Sequence, residues 1–152
     1  MLMKSEFYMK ECISLANKSV LDGEIPIGAI ILQNDKIISK AHNTSISSND
    51  PTAHAEINVI RDVCKKINNY RINDAILYVT LEPCLMCISA ICEARIDSVV
   101  FGAYASNEIN FRKNFNSLKT NFNINHTPKF IGGVLEAECS ALIKNFFKTK
   151  RG

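Results

Sequence analysis

Two short strings in the sequence place chemically active residue types at close spacing. They are HAE at residues 54–56 and PCLMC at residues 83–87. Cys84 and Cys87 are three positions apart, so a helix beginning there would carry both sulfurs on one side. A helix N-terminus also lowers a thiol pKa, because its unpaired N–H groups and positive dipole end stabilise a thiolate. Thiolates at this spacing are good zinc ligands, and His54 would supply a third.

Three protein ligands leave one position of a tetrahedral zinc ion open, which is typical of a catalytic site. A water bound there is acidified to near neutrality and becomes a nucleophile. Glu56 lies two residues after His54, close enough to reach that water without binding the metal. A carboxylate so placed can take the proton of the water and return it to a substrate. The two strings therefore predict zinc-dependent hydrolytic chemistry.

Other interpretations of the cysteines remain open at this point. A Cys-x-x-Cys pair after a strand is also typical of a redox motif. A structural zinc ion would need a fourth ligand, for which the candidates are Cys12, Cys64, Cys92, Cys139, His42 and His126. Cys12, Cys64 and Cys139 fall on apolar helix faces, where cysteine usually packs as a small hydrophobic residue. The two strings together are more specific than either alone, and they favour the catalytic site.

The hydrophobic periodicity predicts a layered α/β domain in which helices cover a mixed sheet. An amphipathic helix through residues 9–20 stops at Asp22-Gly23, and Asp50-Pro51 would open a second helix. Residues 107–125 form either an irregular helix or a loop with apolar anchors. The other predicted elements are strands at 25–32, 36–42, 75–81, 98–103 and 129–134, and helices at 84–94 and 135–147.

Length and composition are those of an ordinary globular protein. The 152 residues, 47% of them hydrophobic, suit one domain over 1–152 with a real core. The longest uncharged apolar stretch, residues 25–32, is far shorter than the about 20 residues that cross a bilayer. The first sixteen residues include acids and lack a small-residue cleavage site, so they do not resemble a signal peptide. We expect a soluble cytoplasmic protein that does not contact membranes.

Charge is distributed unevenly along the chain. Residues 1–111 carry ten basic and thirteen acidic side chains, whereas residues 112–152 carry eight basic and two acidic ones. Such asymmetry indicates a nucleic-acid or other anionic partner for the C-terminal part. A basic terminal helix that only stabilises its own dipole is the alternative. The cations of the terminal helix that would contact a nucleic-acid partner are Lys144, Lys148, Lys150 and Arg151.

The strings HAE and PCLMC together match the His-x-Glu and Pro-Cys-x-x-Cys signature of zinc-dependent nucleoside and nucleobase deaminases. Over most of its length the chain resembles the bacterial tRNA adenosine deaminase family. The matching segments are 22–31, 41–43, 50–61, 76–91, 95–103 and 133–148. This resemblance implies a three-layer cytidine-deaminase-like fold, with a five-stranded mixed sheet and helices on both faces.

The resemblance also implies residue roles. One zinc ion per subunit would be bound by His54, Cys84 and Cys87, with Glu56 as the proton shuttle. Asn43 would contact the target nucleoside, and Ile27 would line the base pocket or simply pack in the core. The implied reaction is hydrolytic deamination of adenosine to inosine at the wobble position of a tRNA anticodon stem-loop, by a homodimer whose shared surface helps bind the RNA.

One segment departs from this family. Ala105 stands where the family usually has an aspartate, and the glycine-rich loop expected within 104–113 is absent. A deaminase of a free nucleobase or nucleoside, of the guanine or cytosine type, is therefore the main rival, and a non-catalytic zinc-stabilised RNA-binding partner is another. Glu56 argues against the second, since a structural zinc ion has no use for that carboxylate. Four residues of the region could form an RNA platform, although their helix-like spacing favours core packing: Phe111, Arg112, Phe115 and Lys119.

Overall fold

The computed structural model describes residues 2–105 and 115–151 of the chain. Helices and strands follow in the order predicted from the sequence. They are α1 (Leu2–Leu21), β1 (Gly28–Gln33), β2 (Lys36–His42), α2 (Ala55–Ile67), β3 (Ala75–Leu81), α3 (Leu85–Glu93), β4 (Ser98–Ala103), α4 (Phe115–Asn121), β5 (Lys129–Ile131) and α5 (Glu136–Arg151). No helix in these two ranges is long and apolar enough to cross a membrane.

The five strands form one mixed sheet in the order β2-β1-β3-β4-β5. β1 pairs antiparallel with β2 and β3, whereas β4 pairs parallel with β3 and β5. β1 begins at Gly28, three residues later than predicted, and Pro26 in the preceding segment lacks the N–H group that an inner strand needs. The five-stranded mixed sheet expected from the resemblance is confirmed.

Helices cover both faces of the sheet, which makes three layers. Val99 and Phe101 of β4 pack with α2 and α3 on one face. Val100, between them in the sequence, packs with α1 and with Cys139 of α5 on the other face. This alternation is what a strand buried on both faces requires. Helix α1 lies so close to β1 that a Cβ atom at Gly28 would overlap the carbonyl oxygen of Cys12.

The predicted start of α2 at Asp50-Pro51 is wrong. The Asp50 side chain accepts hydrogen bonds from the backbone N–H and the hydroxyl of Thr52, at 2.9 and 2.7 Å, and so stabilises its own turn. α2 begins only at Ala55, and His54 is its N-cap residue. His54 therefore lies at the N-terminal end of the helix rather than within it.

The segment predicted as an irregular helix or loop contains helix α4 in its described part. Phe115 is buried, and its ring meets Phe130 of β5 edge-on at 5.6 Å. Lys119 is exposed on the same short helix. The expectation that Phe115 packs in the core is confirmed, whereas Phe111 and Arg112 lie outside the described residues.

Candidate active site

Three metal-ligand side chains meet where α2 and α3 begin. His54 and Cys84 are the N-cap residues of the two helices, and Cys87 is the third residue of α3. Neither N-cap side chain caps its own helix, so both remain available to each other. His54 Nδ1 lies 3.6 Å from Cys84 Sγ and 3.5 Å from Cys87 Sγ. The three donor atoms all lie within 4.8 Å of one another.

These distances fit a zinc ion. Zn–S and Zn–N bonds of about 2.3 and 2.05 Å at a tetrahedral angle place sulfur and nitrogen about 3.6 Å apart. Both nitrogen–sulfur distances in the site agree with that separation. Among residues 2–105 and 115–151, this is the one group of three or more such ligands that could bind a metal, and none of the candidate fourth ligands joins it. The donor set is thus that of a site with one open position.

The two thiols of the site have opposite pKa shifts. Hydrogen bonding to Cys87 is the main cause that lowers the pKa of Cys84 to about 5, against the cost of burial, and His54 adds to the effect. The pKa of Cys87 is raised, first because its thiol donates to Cys84 and then because it is buried. One sulfur is therefore a thiolate at neutral pH before any metal binds. Metal binding would release the second proton.

Glu56 lies beside these donors in the first turn of α2. It is only 4% exposed, and burial raises its carboxyl pKa, while a hydrogen bond from its own backbone N–H opposes the shift. Its Oε1 atom is buried without a hydrogen-bond partner in the described part of the chain. A buried carboxyl group with a raised pKa and a free oxygen is suited to exchanging protons with a bound molecule.

Asn43 follows β2 directly and is 3% exposed. Its backbone N–H donates to the carbonyl oxygen of Ile27 at 3.1 Å, so the two predicted base-pocket residues lie in contact. Asn43 Oδ1 is buried and has no partner among the described residues. Such an orphaned acceptor fits a group that pairs with a ligand. Ile27 is half-buried against the core under α2 and α3.

Two side chains that the sequence interpretation did not single out surround this region. Glu24 is fully buried and accepts the backbone N–H groups of Ile46 and Ser47. Asn58 of α2 donates through Nδ2 to the carbonyl oxygen of His42 and the hydroxyl of Thr44. One signal was available for Glu24, because an acid placed directly before an apolar strand must find buried donors. No pattern distinguished Asn58 from an exposed helix residue.

The segment that departs from the family begins next to the metal site. The backbone N–H of Ala105 donates to Glu82 at 3.0 Å, and Glu82 lies two residues before Cys84. The ring of Tyr104 meets Phe101 edge-on at 5.1 Å. Residues 106–113 lie outside the described part of the chain, so the structure tests this departure only at its first two positions.

The four predicted RNA-binding cations are all exposed on α5 but face different directions. Lys144, Lys148 and Arg151 follow one another at i, i+4 and i+7, so they share one side of the helix. Lys150 lies on another side, with its ammonium 5.6 Å from the ring of Phe146. Lys144 also lines a cavity of about 390 Å³ with Leu81, Tyr104 and Phe147. Leu81 ends β3 three residues before Cys84, so this cavity opens at the same end of the sheet as the metal donors.

Comparisons with known proteins agree with this arrangement. The sequence profile of the cytidine and deoxycytidylate deaminase zinc-binding region matches residues 2–103. The tRNA-specific adenosine deaminase of Buchnera aphidicola subsp. Baizongia pistaciae is 45% identical over 149 residues, covering 96% of this chain and 90% of that protein. The enzyme of the same name from Bacillus subtilis is 40% identical over 150 residues, covering 99% and 92%.

Solved structures are similar as well. One structure comes from a study of A-to-I editing by tRNA:A34 deaminases at the wobble position of transfer RNA. It has a TM-score of 0.82 and 35% sequence identity, and the match covers 90% of this chain and 98% of that chain. A guanine deaminase from Nitrosomonas europaea has a TM-score of 0.78 at 18% identity, covering 93% and 83%, which shows the shared fold alone. The site, the fold and the sequence agree: this chain belongs to the family of the cytidine and deoxycytidylate deaminase zinc-binding region.

Proposed function

We propose that this chain is a zinc-dependent RNA-directed adenosine deaminase that converts adenosine to inosine at the wobble position of a tRNA anticodon. The observation that carries the proposal is the grouping of His54, Cys84 and Cys87 with the unpartnered Glu56 oxygen beside them. The choice of adenosine in tRNA rests on the similarity to proteins named tRNA-specific adenosine deaminase, which covers nearly the whole chain.

Each side chain of the site has a role in this reaction. A zinc ion bound by His54, Cys84 and Cys87 would acidify a water molecule and so supply the nucleophile that attacks C6 of adenine. Glu56 moves the first proton of that water to ring N1, then takes the proton of the new hydroxyl group on C6 and delivers it to the amino group, which leaves as ammonia. One water is consumed and one ammonia leaves, so adenosine becomes inosine. Asn43 Oδ1 accepts a hydrogen bond from the bound nucleoside, and Ile27 packs against the base.

The substrate base has to enter a buried site, which favours a single-stranded loop. In an anticodon loop the base can turn out of the stack at small cost. Glu56 and Asn43 are each less than 5% exposed, so the reacting base must leave its neighbours to reach them. A base within a duplex would have to lose its pairing as well.

The basic side of α5 would contact the rest of the RNA. Half or more of protein hydrogen bonds to nucleic acid go to phosphate and sugar. Lys144, Lys148 and Arg151 form a stripe along α5. Lys144 lines the cavity at the ends of β3 and β4, where exposed Phe147 and Tyr104 add aromatic surface. A homodimer and a cytoplasmic location, where tRNA is found, complete the proposal.

A free nucleobase is the alternative substrate, and the specific observation in its favour is Ala105 in place of the family aspartate. The test uses zinc-loaded protein with an anticodon stem-loop bearing a wobble adenosine, and separately with adenosine, guanine and cytosine. A stem-loop with guanosine at the wobble position is the matched control. Inosine in the first RNA alone supports the proposal. Turnover of a free base without inosine in the RNA would replace it with the alternative, and no reaction at all would favour the non-catalytic RNA-binding partner.

A further inference from the structure

The loop from Asn43 to His54 connects the predicted nucleoside contact to the first metal ligand. It leaves β2 at His42 and enters α2 at Ala55. Most of its backbone hydrogen bonds close turns within the loop, such as Thr44 N–H to the carbonyl oxygen of Ala53, and the Asn43 N–H bonds outside it to Ile27. Side chains from outside the loop supply further bonds: exposed Arg61 bonds to Asp50 and Thr52, and the less exposed Glu24 and Asn58 bond nearer to Asn43.

Glu24 binds the tip of the loop. One carboxylate oxygen accepts the N–H of Ser47 at 2.7 Å, and the other accepts the N–H of Ile46 at 3.2 Å. The Glu24 side chain has no solvent exposure, so its two oxygens depend on these backbone donors for hydrogen bonds. Glu24 lies three residues before Ile27, whose carbonyl oxygen accepts the Asn43 N–H. The segment 24–27 therefore binds the loop at two points.

Asn58 of α2 binds the start of the loop, on both sides of Asn43. Its Nδ2 atom donates to the carbonyl oxygen of His42 and to the hydroxyl of Thr44, both at 2.9 Å. These two residues immediately precede and follow Asn43. Asn58 is also on α2, two residues after Glu56, and its backbone N–H donates to His54. It thus connects the helix of the metal site with both sides of Asn43.

We infer that Glu24 and Asn58 are positioning residues that fix Asn43 relative to Glu56 and the metal ligands. This inference rests on the proposed function, because the position of Asn43 matters only if that residue contacts the reacting nucleoside. Displacing a substrate contact by about 1 Å can cost roughly 100-fold in rate, even when the chemical groups are intact. Neither residue touches the substrate in this account, and both act through Asn43.

A double-mutant cycle tests the inference directly. Asn58→Leu and Glu24→Gln are each made in the native chain and in an Asn43→Ala chain, and kcat and KM for the anticodon stem-loop are measured separately. Because each change leaves buried hydrogen-bonding groups unpaired, we expect kcat/KM to fall roughly ten-fold in the native chain. In the Asn43→Ala chain the same changes should cost less than about two-fold, because residues that act through a common partner are not additive.

Matched controls and a second measurement keep the result interpretable. Asn17→Leu and Glu11→Gln change the same residue types on α1 and should leave the kinetics unchanged. Zinc content should stay at one per chain in every variant. Asn58→Ser, which removes the same amide with less change in packing, replaces Asn58→Leu if that variant fails to fold. Amide hydrogen exchange at Ile46 and Ser47 should be slow in the native chain and fast in Glu24→Gln.

The outcomes separate the two proposals. Equal losses of kcat/KM in both backgrounds, or unchanged kinetics in Asn58→Leu and Glu24→Gln, would overturn the positioning role while leaving the proposed function intact. If the native chain with bound zinc forms no inosine, the proposed function fails and the inference fails with it.

Discussion

The metal-ligand corner and the basic side of α5 differ in geometry, and in the proposed function they would serve the substrate in different ways. The corner, formed by His54, Cys84 and Cys87, brings three donors within 4.8 Å at the starts of two helices. The basic side places three exposed cations along one helix, each of which could contact a separate phosphate. Loss of one metal donor should therefore abolish deamination, whereas loss of one cation should only weaken the binding of RNA.

The two regions also differ in how the fold supports them. α2 and α3 pack against the sheet through a fully buried core that includes Val59 of α2, Ile91 of α3 and Phe101 of β4. α5 contributes one buried side chain, Cys139, and leaves most of its surface in solvent. Precise geometry is needed where bonds break, and a rigid support supplies it. Phosphate contacts tolerate flexible side chains, since their attraction acts over several ångströms.

The largest expected effect comes from Cys87→Ala. Two ligands bind zinc far more weakly than three, so the variant should lose the metal, all detectable deamination and part of its thermal stability. Cys92→Ala is the matched control, because Cys92 is also buried on α3 but is outside the donor group. Metal analysis and thermal unfolding check both variants. Full zinc content in Cys87→Ala would contradict the ligand assignment.

Glu56→Gln should have the next largest effect. The amide keeps the size of the carboxyl but cannot shuttle protons, so kcat should fall about 10²- to 10⁴-fold. Zinc content should remain at the native level, because Glu56 is not among the three donors. Single-turnover kinetics with parallel metal analysis measures both quantities. If this variant deaminates at the native rate, Glu56 is not the proton shuttle.

Neutralising the basic side of α5 should have a graded effect. Changing Lys144, Lys148 and Arg151 together to Gln should weaken binding of the stem-loop about ten-fold. The slope of log K against log salt should become shallower by about 2, because each phosphate contact on a single strand contributes roughly 0.7 to the slope. Lys150→Gln is the control, because Lys150 faces Phe146 on another side of the helix. Binding titrations at several salt concentrations measure the slopes. Equal effects of the control and the triple variant would show that the direction of the cations does not matter.

Asp62→Asn should have the smallest effect. Hydrogen bonding to Lys66 and then to Ser39 lowers the pKa of the Asp62 carboxyl. A carboxyl with a lowered native pKa stabilises the fold above its unfolded value of about 3.9, and this contribution is lost as pH falls through the lowered native value. Because the pair is largely exposed, the variant should melt no more than about 3 °C below the native chain at pH 7. Melting curves at pH 7 and pH 3 should show the difference shrinking in acid, and a difference that grows there would contradict the assignment.

Much of the fold and the chemical core of the site could be predicted from the sequence. Strands β2, β3 and β4 agree residue for residue with their predictions, because β-branched runs bounded by turn residues give a strong local signal. The grouping of His54, Cys84 and Cys87 was predictable because residue types and spacing are local features. The start of α2 was not, since Asp50 looks like a helix cap in sequence and bonds to Thr52 instead.

Long-range side-chain contacts account for what could not be predicted. Asn58 reaches His42, 16 residues away, and Glu24 reaches Ile46 and Ser47 across 22 and 23 residues. Their partners in these bonds are backbone groups, which every residue has, so no sequence pattern could identify them. Lys150 likewise looked equivalent to its basic neighbours until its contact with Phe146 distinguished it.

The most direct test of the account is hydrolysis in ¹⁸O-labelled water. Zinc-loaded protein is incubated with an anticodon stem-loop that carries a single adenosine at the wobble position, and the RNA is analysed by mass spectrometry. The account predicts inosine in place of that adenosine, with one ¹⁸O atom in each product base and one ammonia released. An unchanged stem-loop in the presence of fully zinc-loaded protein would contradict it.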